Sequence, residues 1–151
     1  MLRAAAWTAP AVSIAVAAPA FATSHETPPL SVTGPLGIDR HGTVLRLATA
    51  LEVSHALTGV TAVVTLRYVG ANSAHVTSTS VAAPWATSTH GVASANFTAA
   101  SLPVGTTSFR PHINLDNTSF DSVEVTVTCT WAGSGQGVTT SATYSKNNSL
   151  P

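Results

Sequence analysis

Polar and apolar residues alternate with a period of two along much of this chain. Over residues 43–53, Leu45, Leu47, Thr49, Leu51 and Val53 fall on one face and Val44, Arg46, Ala48, Ala50 and Glu52 on the other. That pattern predicts a half-buried strand. Leu47, Ala48, Ala50, Leu51 and Glu52 also form helices readily, so a helix stands as the alternative here. Residues 60–69 repeat the alternation, with Val60, Ala62, Val64, Leu66 and Tyr68 against Thr61, Val63, Thr65, Arg67 and Val69. In residues 123–131, Val123, Val125, Val127, Cys129 and Trp131 face inward, and Glu124, Thr126, Thr128 and Thr130 face outward. Gly133–Gly137 predicts a tight connection to a hairpin partner over 138–145.

Shorter segments complete the set. Residues 30–33 predict a first strand stopped by Gly34-Pro35, with 37–42 as a turn. Residues 75–81 form a Thr/Ser-rich strand near an edge, and Pro84-Trp85 breaks the pattern. Residues 91–98 and 106–115 are further strands. Pro111 has no N–H to give a ladder, so the strand holding it lies at an edge or carries a bulge. Seven or eight strands with turns between them and no long helix predict an all-β antiparallel sandwich or barrel over residues 30–146.

Composition agrees. Charged residues are 8% of the 151, and hydrophobic residues 44%. Thr and Ser supply the polarity, and β-branched Thr suits a pleated surface. The formal net charge is zero, and the Arg and Lys residues are dispersed along the chain. A nucleic-acid footprint needs a basic stripe, so no nucleic-acid partner is expected. The single cysteine, Cys129, excludes an intramolecular disulfide. The domain must stand on its hydrophobic core, and with more than a hundred residues it has enough chain to build one.

The first 24 residues, MLRAAAWTAPAVSIAVAAPAFATS, differ in kind. One charge, Arg3, precedes an apolar run over 4–16, and the small-x-small pattern Ala20-Phe21-Ala22 follows. This order predicts a signal peptide over 1–22 with cleavage after Ala22, then a polar lead-in over 23–29. Pro10 and Pro19 interrupt the run, and it falls short of the ~20 apolar residues of a membrane span. No stable span is expected after its removal. The string LRAAAWTAPAVSIAVAAPAFA resembles the export signals of small secreted proteins of actinobacteria. It covers about a seventh of the chain and implies a secreted or envelope location. Many such signals carry a twin-arginine pair. This one has Arg3 alone, which implies the general export route or a true start upstream of Met1. The alternating pattern likewise resembles exported bacterial immunoglobulin-like domains, and that resemblance implies the immunoglobulin-like sandwich of seven to eight strands and not the barrel. It departs from antibody domains in lacking a second cysteine and in holding Val127 where a corner tyrosine would stand.

Chemistry is sparse. His25, His41, His55, His75, His90 and His112 fit no ligand motif, although four lie near turns that could converge at one end. The loop 116–121 offers Asp116 and Asp121 as candidate metal ligands, in an order that is also ordinary turn chemistry. No Gly-x-Ser-x-Gly elbow occurs on a strand–turn–helix. Cys129, between Val127 and Trp131, reads as a core group and a poor thiolate. Asp39, Glu52 and Glu124 are outward carboxylates. No cofactor motif is present, no cofactor is expected, and no catalytic set can be assembled. Trp85 is the one aromatic expected to be partly exposed, as a platform for a sugar ring or a partner, with a lid over the open end of the core as the other reading. The expected function is therefore contact with a protein or a cell-wall polymer, with a carbohydrate or metal site in the end loops as the alternative. The C-terminal residues 147–151 form a polar tail.

Overall fold

The computed structural model describes residues 28–146; the signal segment, with Ala20 and Ala22, most of the lead-in and the C-terminal tail lie outside the described residues. Ten strands follow in order: β1 (Leu30–His41), β2 (Val44–Val53), β3 (Leu57–Val69), β4 (Val76–Ser80), β5 (Ala86–His90), β6 (Ser94–Leu102), β7 (Gly105–Phe109), β8 (His112–Leu115), β9 (Ser122–Thr130) and β10 (Gly137–Ser145). No α-helix occurs among the described residues, and none of their segments is a helix long and apolar enough to cross a membrane.

The alternation places side chains as expected in β2, β3 and β9. Leu45, Leu47, Leu51 and Val53 are buried, as are Val60, Ala62, Val64 and Leu66, and Val123, Val125, Val127 and Cys129. The helical alternative for 43–53 is thereby set aside. Trp131 lies just past the end of β9, half-buried, not in its inward row.

Three expectations need correction. The first strand does not stop at Gly34-Pro35. β1 runs on to His41 through a register shift between Thr33 and Gly37. Gly34 takes φ +83°, a conformation open to glycine, and Pro35 sits on an edge strand where its missing N–H leaves no gap in a ladder. Residues 106–115 are two strands divided at Arg110-Pro111. β8 is no edge: it lies between β2 and β4, and the Pro111 carbonyl accepts from Leu47 N–H at 3.0 Å across the break. Residues 86–90, which fall between the strands predicted over 75–81 and 91–98, form β5, every residue of which is exposed.

All pairing is antiparallel, in two sheets. The first has the order β1-β2-β8-β4, with β7 beside β2; the second has the order β10-β9-β3-β6-β5. β1, β2, β7/β8 and β4 take the places of strands A, B, E and D of an immunoglobulin sandwich, and β10, β9 and β3 those of G, F and C. The chain departs from that plan in laying down β4 before β5 and β6, which extend the second sheet beyond β3. The fold is an immunoglobulin-like β-sandwich of ten strands.

The inward rows of both sheets form one core, with Phe97 from β6 and Phe109 from β7 meeting edge-on at 5.4 Å and 75°. Burial of each such side chain stabilises the fold by about 1.5–3 kcal/mol. At one flank Arg40 of β1 donates through Nε to Tyr144 Oη of β10 at 3.1 Å, its guanidinium 5.6 Å from the ring centroid. At the other, Thr87 Oγ1 of β5 reaches the Thr79 carbonyl of β4 at 3.5 Å. β4 is an edge strand, as expected, but β5 lies alongside it.

Candidate functional site

Trp85 is 4% exposed, and its ring lies 4.8 Å from that of Phe109 at 58°. A turn closed by Trp85 N–H on the Ala82 carbonyl, 3.2 Å, leads it into the core. The expected partial exposure is corrected: the ring is a lid on the core, and no free face remains for stacking.

Asp116 and Asp121 belong to the loop between β8 and β9. The Asp116 carboxylate accepts from His75 N–H and from the Asn117 amide, both at 2.8 Å, and its other oxygen lies 3.3 Å from His75 Nδ1. Asn117 and Asn72 bond in turn to the Ser73 and Ser119 carbonyls. Asp121 packs over Gly70, where φ is +112° and an added Cβ would lie 2.8 Å from its Oδ2. These groups sew loop 70–75 to loop 116–121, which is turn chemistry. Among the described residues no three His, Cys, Asp or Glu side chains are grouped to hold a metal ion.

Beneath this loop pair, Tyr68 packs on Phe120 with ring centroids 5.1 Å apart. Its hydroxyl is buried without a hydrogen bond to any described residue, and burial, with the Asp116 charge adding, pushes it up to about 12. An unpaired buried hydroxyl costs about 1–3 kcal/mol. Tyr68→Phe is therefore expected to leave the fold intact and raise the unfolding free energy by about 1 kcal/mol in urea titration. A loss of stability instead would mean that the hydroxyl has a partner.

A different site emerges on the outer face of the first sheet. Alternation in β2 sends Arg46, Ala48, Ala50 and Glu52 outward. Register then sets Arg46 between Asp39 of β1 and His112 of β8, and Ala50 between Thr33 and Ser108. At one end Thr106 Oγ1 donates to Glu52 Oε2 at 2.7 Å. In the middle Ala48 faces Gly37 on one side and the β7/β8 break on the other. Small side chains there, with taller ones around them, leave a groove.

One lobe, of about 370 Å³, is lined by Gly37, Asp39, Arg46, Ala48, Arg110 and His112 among others. A second, of about 230 Å³, shares Ala48 and Arg110 and continues over Thr33, Pro35, Ala50 and Ser108. Arg46 and Arg110 form no hydrogen bond or ion pair among the described residues. The other described arginines are engaged, Arg40 with Tyr144 and Arg67 with Glu124 at 3.5 Å. None of these groove residues was singled out as a site from sequence. The available signal was that each occupies an outward position, but nothing local says that Arg46 and Arg110 share a lobe.

Fold and site together define an immunoglobulin-like sandwich with a cationic groove on its ABED-type face. No family model matches the chain, and no curated protein does. Among solved structures it is similar to an uncharacterised protein from Nocardia farcinica with an immunoglobulin-like fold, at 15% identity and a TM-score of 0.47, over 73% of this chain and 96% of that one. It is also similar to the GAE domain of GGA2p from Saccharomyces cerevisiae, at 14% identity and a TM-score of 0.29, over 82% and 98%.

Proposed function

We propose that this chain is an exported, non-enzymatic immunoglobulin-like module that acts by contact at the cell envelope, with the outer face of the first sheet as its contact surface and a wall polymer as its partner. The observation that carries this reading is the groove holding Arg46 and Arg110 without partners among the described residues. Guanidinium groups stay charged at neutral pH, so they bind and orient but do not exchange protons. Cys129 is buried at 1% exposure and pushed up to about 12, which suits packing and not nucleophilic attack. The signal-type N-terminus supports the location.

The experiment is fractionation of the producing cells with intact-mass analysis, then co-sedimentation of the protein with isolated walls. A mature mass starting at Thr23, with pelleting on walls, is the expected result. Free protein that does not pellet overturns the contact reading, and uncleaved protein in the cytoplasm overturns export.

A further inference from the structure

We infer that the groove binds a phosphate group carried on a polyol chain, the phosphate between Arg46 and Arg110 and the hydroxyl-bearing part over Thr33 and Ser108. This rests on the contact reading for its partner and goes beyond it in naming the ligand chemistry.

Three arguments converge. Two guanidinium groups that line one lobe, neither ion-paired among the described residues, present a row of donors to a single anion. His112, cross-strand from Arg46, adds a ring nitrogen on the same side. These donors come from β2, from the break between β7 and β8 and from the start of β8, and so from different positions around the lobe. A tetrahedral phosphate has oxygens for several such directions, whereas a planar carboxylate is satisfied by one arginine fork. The second lobe begins at Arg110 and is lined by Thr33, Ser108 and the apolar edges of Pro35 and Ala50. Neutral hydroxyl groups alternating with apolar carbon match a polyol, and the absence of an aromatic floor disfavours a stacked base.

Asp39 is the opposing term. It lines the rim of the anion lobe and stands across from Arg46 without reaching ion-pair distance. Its charge repels a phosphate, so its removal gives a variant that gains binding, a result no folding defect can imitate.

The test is titration of the isotope-labelled full chain with glycerol phosphate, inorganic phosphate and glycerate at fixed ionic strength, read by amide and arginine side-chain shifts. Saturable shifts confined to the groove strands are expected, with glycerol phosphate bound more tightly than inorganic phosphate and glycerate weakest. Arg46→Ala and Arg110→Ala, both at exposed positions, should each weaken glycerol phosphate by about tenfold or more. Asp39→Asn should tighten it about twofold to fivefold. Glycerate binding as well as glycerol phosphate, equal affinity for inorganic phosphate, or shifts that survive both arginine variants each overturn the inference. So does a thymidine oligonucleotide that binds as tightly as a glycerol-phosphate oligomer of equal charge. Wall pelleting that persists in the double arginine variant removes this inference and leaves the contact reading standing. Groove binding of glycerol phosphate by a protein that never pellets on walls does the reverse.

Discussion

Phe109→Ala is expected to lower the unfolding free energy by about 3–5 kcal/mol, read by urea titration with tryptophan fluorescence. Phe109 is fully buried near the end of β7, where it pairs with Thr49 of β2. Its ring touches Trp85 at 4.8 Å and Phe97 at 5.4 Å. Phe97 belongs to the opposite sheet, so this one side chain joins the two layers and supports the lid. Truncation removes the transfer term and leaves a cavity that three strands held in ladders cannot collapse to fill. Against a typical total of about 5–15 kcal/mol, that is a large share. Val104→Ala, at 65% exposure, is the control and should stay within about 0.5 kcal/mol. A Phe109→Ala loss below about 1 kcal/mol would mean that the aromatic trio does not hold the layers together.

Alkaline pH is expected to have the second large effect. Cys129 lies on β9 between Ala62 of β3 and Val138 of β10, and burial pushes its thiol from about 9 to about 12. The folded pKa is raised, so the contribution is complete below the unfolded value near 9 and is lost as pH rises toward 12. Three pKa units correspond to about 4 kcal/mol. Tyr68, raised from 10 to about 12, acts in the same direction over the upper part of that window. The contribution of these two groups should therefore be complete up to about pH 9 and fall from there. Cys129→Ala should give a flatter alkaline limb than the native chain, whatever it does at neutral pH, because every other titrating group is common to both. Equal slopes in the two proteins would sink the assignment to Cys129.

How much of this was legible beforehand depends on how local each signal is. The inward rows of β2, β3 and β9 could be read because a strand buried on one face alternates at each residue, and that constraint is written in neighbouring positions. β5 could not be read, because all five of its residues are exposed and no face is selected. The continuation of β1 past Gly34-Pro35 was hidden by two residues that usually stop a strand, yet an edge position tolerates both. Pro111 was read correctly as unable to extend a ladder, but its place was not at an edge. It lies in the gap between two short strands that share β2 as a partner.

The candidate site was less legible than the fold. Trp85 stood out as an exposed aromatic because Pro84 and Ser/Thr neighbours surround it in sequence, and contacts made in the folded core, that with Phe109 of β7 among them, bury it. Asp116 was visible as an oxygen donor in a loop, but beside the neighbouring Asn117 amide its donor is His75 N–H, from a distant loop. What the sequence by itself determined was the all-β class, the inward rows and the outward standing of Arg46, Arg110 and Asp39, while the closure into a sandwich of two sheets came from the tertiary structure. The tertiary structure alone decided that those three line one groove. β2 accepts β1 on one side and β7 with β8 on the other because their inward rows must be buried together against the second sheet. That pairing, made between segments far apart in the chain, carries the outward residues into register without any local mark of it.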